Sequence, residues 1–136
     1  MIATPKKTLT HEDLSQFNGD IVRYRHGVNR RVIYTPGVKF LAEQGGAFWL
    51  IDVIASYLTP TVIQKAVQAE PGIRWLHFWR LDVAPDQSAL VTARADTART
   101  PFVSQEIPFT DFPLEFVSVW AGFDGRLWTL YLPSEH

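Results

Sequence analysis

Cysteine is absent from this chain of 136 residues. The absence excludes disulfide bonds, thiolate metal sites and cysteine nucleophiles. It also fits a reducing compartment, so we expect a cytoplasmic protein. The four histidines, His11, His26, His77 and His136, are scattered without a metal-ligand spacing, so we expect neither a metal nor another cofactor.

Long hydrophobic runs are missing too. The longest extends from Ala47 to Leu58, contains Asp52, and is shorter than the roughly 20 residues that a membrane-spanning helix needs. The first residues, MIATPKKTLT, lack the apolar centre of a secretory signal. We therefore expect a soluble protein without a membrane partner.

A strong net charge is also lacking, since the formal value is −1 at pH 7. The halves differ, however: residues 1–68 contain eight basic and five acidic residues, and residues 69–136 contain five and nine. Such asymmetry indicates a polyanion-binding face, or two surfaces that attract each other within one molecule or across a dimer.

What is present is the composition of a globular domain, with 46% hydrophobic and 20% charged residues. We predict a single domain over residues 1–136, with a loose lead-in at 1–9. Thr10 and Asp13 form a capping-box pattern for a short helix at 11–17, which Asn18-Gly19 ends. Strands are predicted at 21–25 and 31–35.

Helical signals dominate the next segment. Thr35-Pro36 and Thr59-Pro60 each place an N-cap threonine before a proline at the first helical position. Apolar residues follow at steps of three or four, as far as Pro71-Gly72. Between the two starts, Gly45-Gly46 indicates either a break between two helices or the close approach of another element. We expect three helical pieces over 37–70.

The remainder of the chain favours strands. Runs rich in aromatic and β-branched residues cover 74–83, 89–97, 102–109, 114–123 and 126–132. Short turns join them, and Asp124-Gly125 is typical of a two-residue hairpin. We therefore predict an α+β fold of two layers, in which N-terminal helices pack on a C-terminal antiparallel sheet of four to five strands.

Both faces of this sheet are predicted to be apolar. Along 114–121, Phe116 and Trp120 share one face while Val117, Val119 and Ala121 share the other. A sheet covered on one side only would alternate apolar with polar residues. We therefore expect a second cover, which is a partner chain in a homodimer, a buried N-terminal segment, or a ligand.

An arginine cluster is the first candidate binding site. It comprises Arg23, Arg25, Arg30 and Arg31, with Tyr34 nearby. Arginines among aromatic rings can hold phosphates and stack on bases, which makes nucleic acid one candidate partner. The alternative is a set of structural ion pairs with acidic groups of the sheet, which the acidic overall balance favours.

A second candidate lies between helices and sheet, where Trp49, Asp52, Trp75 and His77 would line a pocket. Glu43 and Asp52 converge only if the chain bends at Gly45-Gly46. The structural alternative pairs Asp52 with Arg30 or Arg31, and places His77 as a packed histidine on one strand face with Trp75 and Trp79. No catalytic residue is assigned.

Three segments resemble one family: RVIYTPGVKFLAEQGGAFWLIDVIAS with the preceding RYRHGVNR, then QEIPFTDFPL, and finally LYLPSE. The family consists of small uncharacterised bacterial proteins, and the resemblance covers roughly 15–135. It implies a stand-alone bacterial domain of unknown function and transfers no catalytic residue.

The resulting hypothesis is a non-enzymatic binding or interaction module that self-associates as a dimer through an apolar sheet face. One alternative is a small-molecule binder or enzyme with a pocket between helices and sheet. The other is a nucleic-acid accessory protein that uses the arginine cluster.

Overall fold

The computed structural model describes residues 9–17, 22–96 and 98–136. In these ranges the helices are α1 (His11–Ser15), α2 (Pro36–Gly45), α3 (Phe48–Tyr57) and α4 (Pro60–Ala69), followed by a 3-10 helix at Pro71–Arg74. The strands are β1 (Tyr24–Arg25), β2 (Val32–Tyr34), β3 (Leu76–Val83), β4 (Ala89–Arg94), β5 (Val103–Ile107), β6 (Phe116–Phe123) and β7 (Trp128–Tyr131). A 3-10 turn at Pro133–Glu135 follows the last strand. The α+β class is confirmed.

The sheet is larger than predicted and mixed. Its seven strands in the described ranges run in the order β1-β2-β7-β6-β3-β4-β5, and β2 pairs parallel with β7. The Trp128 amide donates to the Arg31 carbonyl at 2.8 Å, and the Thr35 amide donates to the Leu130 carbonyl at 3.1 Å. The prediction of a C-terminal antiparallel sheet of four to five strands is partly right. The five strands β3 to β7 pair antiparallel, but the two short N-terminal strands join the edge formed by β7 and make the sheet mixed.

The helix starts follow the predicted caps. Thr35 and Thr59 each accept a hydrogen bond from the amide three residues on, with proline at the first helical turn. The capping box of Thr10 and Asp13 at α1 is also confirmed. The predicted end of that helix at Asn18-Gly19, the first residue of the 21–25 strand, and Thr97 lie outside the described residues, as do residues 1–8 of the lead-in.

Both alternatives for Gly45-Gly46 hold. Gly46 is left-handed, with φ 61°, and ends α2 before α3 begins, which glycine permits without strain. A Cβ on Gly45 would lie 2.6 Å from the Phe112 ring, so the loop after β5 approaches the helix closely there. Leu9 lies beside this contact with only 2% of its surface exposed, so the prediction of a loose lead-in is wrong at that residue.

The core lies between the helices and one sheet face. Alternate residues of β3 and β6 are buried there, namely His77, Trp79 and Leu81 on β3 and Val117, Val119 and Ala121 on β6. Val38, Leu41, Leu50 and Ile54 of α2 and α3 belong to the same core cluster. The β6–β7 hairpin is confirmed, although its turn centres on Gly125 and Arg126, since the Asp124 amide donates to the Leu127 carbonyl.

The opposite sheet face, which we call the outer face, is not uniformly apolar. Phe78, Trp120 and Tyr131 form one aromatic row across β3, β6 and β7. Polar side chains stand beside this row, with Arg80 paired with Ser118, while Asp82 lies between the apolar Leu90 and Phe116. The prediction of two apolar faces therefore holds for this row and for the exposed Phe116 and Leu90, whereas β4 and β5 also place threonine, arginine, serine and glutamate on the outer face.

Candidate functional site

A groove lies between α4 and the turn that joins β6 to β7, and we call it the α4 groove. Its volume is about 320 Å³. The lining residues are Arg31, Leu58, Thr59, Pro60, Ile63, Gln64, Val67, Arg74, Trp75, Phe123, Gly125 and Trp128. Most of this lining is aliphatic or aromatic, which is the usual character of a small-molecule site.

The position of α4 creates the groove. Its first turn is fixed locally, because Thr59 caps the helix and Pro60 occupies the first helical position. None of its ten residues is buried, and its apolar residues Ile63 and Val67 are only partly covered. The helix therefore stands off from the sheet and leaves one apolar side facing the groove.

An aromatic wall faces α4. Trp75 leaves 56% of its surface exposed, and its ring centroid lies 6.2 Å from that of Phe123. The Phe123 centroid lies 4.8 Å from that of Trp128, which is buried at the base of the groove. A tryptophan this exposed at a concave apolar surface offers a stacking platform that the protein itself does not cover.

The charges of the groove are all of one sign. Arg31 and Arg74 are exposed guanidinium groups, and no aspartate or glutamate lines the groove. Neither arginine forms an ion pair within 4.0 Å of a carboxylate in the described ranges. The groove therefore presents two positive groups beside an apolar surface.

His77 lies behind this wall and is buried completely. Its ring is packed against Trp79, Phe102 and Trp128, with centroids 5.8, 5.1 and 5.0 Å away. Nδ1 donates to the Ile73 carbonyl at 3.2 Å, so Nε2 is the unprotonated nitrogen, and it has no partner among the described residues. Burial lowers the pKa of His77 to about 4, which keeps the ring neutral near pH 7.

The four residues of the predicted pocket are separated. Trp75 lines the α4 groove and His77 lies behind it, while Trp49 and Asp52 belong to α3 and line no part of this groove. The placement of Trp75 with His77 on one strand face is wrong, because Trp75 precedes β3 and turns outward.

Asp52 pairs with His26 and not with an arginine. The amides of Val28 and Asn29 donate to Nδ1 of His26, so its Nε2 carries the proton and donates to Asp52 Oδ1 at 2.8 Å. Both ring nitrogens are thus occupied, which leaves this pair without a free base. Glu43 pairs with Lys39 instead, at 3.4 Å, so the two carboxylates form no common site.

The arginine cluster is dispersed. Arg31 lines the α4 groove, whereas Arg23 lines a neighbouring depression with Tyr131 and His136. Arg25 stands opposite Ile33 at the sheet edge, and Arg30 is exposed in the turn before β2. The Tyr34 ring stacks with that of Tyr24 at 5.8 Å, and Lys39 lies 4.3 Å above the Tyr24 ring, so a lysine accompanies these tyrosines.

A family of unknown function, DUF6876, has a model that matches residues 8–136. The chain belongs to the DUF6876 family. A search of curated proteins and a search of solved structures gave no match. Membership supports the resemblance to a domain of unknown function and assigns no chemistry to the DUF6876 chain.

The three segments that carry the resemblance meet in this DUF6876 domain. Glu135 of the closing LYLPSE accepts a hydrogen bond from the Thr35 hydroxyl at 2.6 Å and one from the Leu132 amide at 2.9 Å. Its carboxylate thus lies at the N-terminus of α2, where negative charge is favourable. Phe112 of QEIPFTDFPL packs on Gly45. These segments therefore serve the packing of the fold.

Several groove residues of the DUF6876 domain escape sequence reasoning. Val62, Ala66 and Ala69 carry the helix prediction for this segment, whereas Ile63 and Val67 are further apolar residues that a core helix would show equally. Arg74, Phe123 and Trp128 come from distant chain positions, so only the tertiary structure brings them together. The sequence feature that could have indicated the groove is the adjacent pair Arg74 and Trp75, just after Pro71-Gly72.

Within the described ranges, no group of three or more histidine, aspartate or glutamate side chains is arranged to hold a metal ion. No helix in that part of the chain combines the length and apolarity needed to cross a bilayer.

Proposed function

We propose that this domain is a non-catalytic binding module whose ligand site is the α4 groove. The observation that carries the proposal is Trp75, a tryptophan with 56% of its surface exposed on the wall of an apolar groove. Covering this wall with a ligand would remove apolar area from water, which stabilises a complex by about 25 cal/mol per Å² before the costs of association.

Binding is favoured over catalysis by the composition of the groove. The lining contains neither histidine nor a carboxylate, so it has no general base or metal ligand of the common kinds. His77 lies behind Trp128 with a lowered pKa, and His26 has both ring nitrogens engaged. The titratable groups therefore do not converge on the groove.

Fluorescence titration with 8-anilino-1-naphthalenesulfonate tests the site. Val67→Glu places a carboxylate on the groove side of α4, and Val28→Glu makes the same change in the turn before β2, at a side chain that is 89% exposed and does not line the groove. We expect Val67→Glu to abolish the fluorescence gain and Val28→Glu to leave it unchanged, with both variants folded by circular dichroism. Equal binding by the two variants would refute the site.

A second candidate function, self-association, is favoured by the aromatic row of the outer face. The centroids of Phe78 and Trp120 lie 5.0 Å apart, and those of Trp120 and Tyr131 lie 6.0 Å apart. All three side chains are partly exposed, and the helices α2 and α3 lie on the other face. Charged residues of both signs flank the row, which suits a two-fold contact between identical faces.

Sedimentation equilibrium tests self-association. We expect a dimer of the unaltered protein, a monomer for Trp120→Lys, and a dimer for the control Val28→Lys. A monomeric unaltered protein at high concentration removes this candidate. We also propose that this homodimer belongs to the cytoplasm of a bacterium. The lack of cysteine supports the reducing compartment in this proposal.

A further inference from the structure

We infer that the ligand of the α4 groove is a small oxyanion, carboxylate or phosphate, that carries an apolar body about the size of two fused aromatic rings. This inference rests on the proposed function and names the ligand class of the same site. Three independent features of the groove carry it: the sign of its charges, its volume and the chemistry of its walls.

The charges select an anion. Arg31 and Arg74 both line the groove, although Arg31 precedes β2 and Arg74 precedes β3 in the sequence. No carboxylate lines the groove with them. Among the described residues no carboxylate lies within 4.0 Å of either arginine, so both guanidinium groups keep their donors available. Guanidinium forks bind carboxylate and phosphate oxygens in pairs of hydrogen bonds.

The volume limits the apolar body. The groove offers about 320 Å³. That is about twice the ~150 Å³ of an apolar cavity that holds one benzene ring. A bicyclic ring system therefore fills the space, whereas a single ring would leave part of the apolar lining uncovered and a polymer would extend beyond it.

The walls favour a flat ligand. Trp75 and Phe123 on one side face Ile63 and Val67 on the other, so a planar ring can stack on the aromatic wall while α4 covers its second face. The side-chain amide of Gln64 also lines the groove and can donate to an oxygen of the anion.

Four naphthalene compounds test the inference by calorimetry: 2-naphthoate, 2-naphthyl phosphate, 2-naphthamide and 2-naphthylmethylammonium. We expect either anion to bind about tenfold or more tightly than the amide, since hydrogen bonds between charged groups are stronger than those to a neutral amide. We expect the cation to bind most weakly. The order of the two anions distinguishes a carboxylate source from a phosphate source.

Charge-removing variants locate the effect. Arg74→Gln is expected to reduce 2-naphthoate binding to the level of 2-naphthamide while leaving the amide unchanged. The control Arg126→Gln alters an exposed arginine of the adjacent turn that does not line the groove. Loss of binding in both variants would mean general attraction by positive charge and would overturn the inference.

Other outcomes separate this inference from the proposed function. If all four compounds bind with equal affinity and none binds to Val67→Glu, the ligand need not be an anion. That result would overturn the inference but preserve the groove as the site. Single-stranded octathymidylate gives a third outcome: it binds, and its binding weakens in Arg23→Gln and Arg25→Gln but not in Val67→Glu. That result would overturn both the inference and the proposed function, in favour of a nucleic-acid surface formed by the dispersed arginines.

Discussion

Two neighbouring helices of equal length are held in place by different forces. Both α3 and α4 have ten residues, yet α3 buries Leu50, Ile51, Ile54 and Ala55 while α4 buries none. In contrast, α3 has no side-chain cap at its start, and α4 begins with a capping threonine followed by proline. Packing against the core therefore determines where α3 forms, and local sequence signals determine where α4 begins.

This difference explains where a ligand site can form. A helix fixed by the core turns its main apolar side inward, although Phe48 of α3 stays 46% exposed, whereas a helix defined by its own cap can leave its whole apolar side partly exposed. The loop before β2 strengthens the contrast, because the Asn29 side chain donates to the carbonyls of Ala55 and Leu58 at the end of α3. We therefore propose that α3 serves the fold and that α4 serves binding.

Matched isoleucine truncations give the largest expected difference. Ile54 of α3 is 1% exposed, and Ile63 of α4 is only partly covered. We expect Ile54→Ala to lower the free energy of unfolding by about 2–5 kcal/mol through loss of buried methyl groups and the cavity left behind. Ile63→Ala should cost less than about 1 kcal/mol. Urea denaturation measures both, and equal losses would break the comparison.

The buried histidine behind the groove predicts a pH dependence of stability. The folded pKa of His77 is lowered to about 4 from 6.5, so the unfolded chain binds the proton more readily between these values. Neutral His77 therefore contributes to the free energy of unfolding above pH 6.5. This contribution, about 3 kcal/mol in total, is lost as the pH falls from 6.5 toward 4.

Urea unfolding at several pH values, compared between the unaltered protein and His77→Gln, isolates this effect. The pKa values of the exposed Asp86 and Asp124 are also lowered, chiefly by hydrogen bonds from Ser88 and from the Leu127 amide respectively, and these carboxylates are common to both proteins. The difference between the two curves should therefore grow from pH 4 to 6.5. Parallel curves would show that His77 is not buried as described.

The two threonine caps give a smaller effect. Thr35 is buried and also donates to Glu135, whereas Thr59 caps α4 without a second side-chain partner. We expect Thr35→Ala to cost about 2 kcal/mol, at the upper end for an N-cap, and Thr59→Ala about 1 kcal/mol or less. Thermal unfolding of both variants checks the order, and the reverse order would argue that α4 is tied into the core.

Local signals were sufficient for much of the fold. Thr35-Pro36, Thr59-Pro60 and Gly45-Gly46 each act within one or two turns, so their effect is visible in the sequence. The parallel pairing of β2 with β7 joins opposite ends of the chain, and three residues of β2 contain no information about that partner.

Less of the candidate site than of the fold could be predicted from the sequence, for the same reason. Trp75 was recognised, but its neighbours Phe123 and Trp128 come from the last hairpin. The partner of Asp52 was predicted among the arginines, whereas the turn at Val28 and Asn29 orients His26 toward it through two backbone amides. Orientation by backbone hydrogen bonds cannot be deduced from residue type or spacing.

Hydrogen exchange with and without 2-naphthoate tests the central claim most directly. In the free protein, we expect the amides of α4 to exchange faster than those of α3, because α4 has no buried side chain to hold it. Saturating 2-naphthoate should slow exchange in α4 and leave α3 unchanged. If α4 is as protected as α3 in the free protein and does not respond to the ligand, the account is wrong.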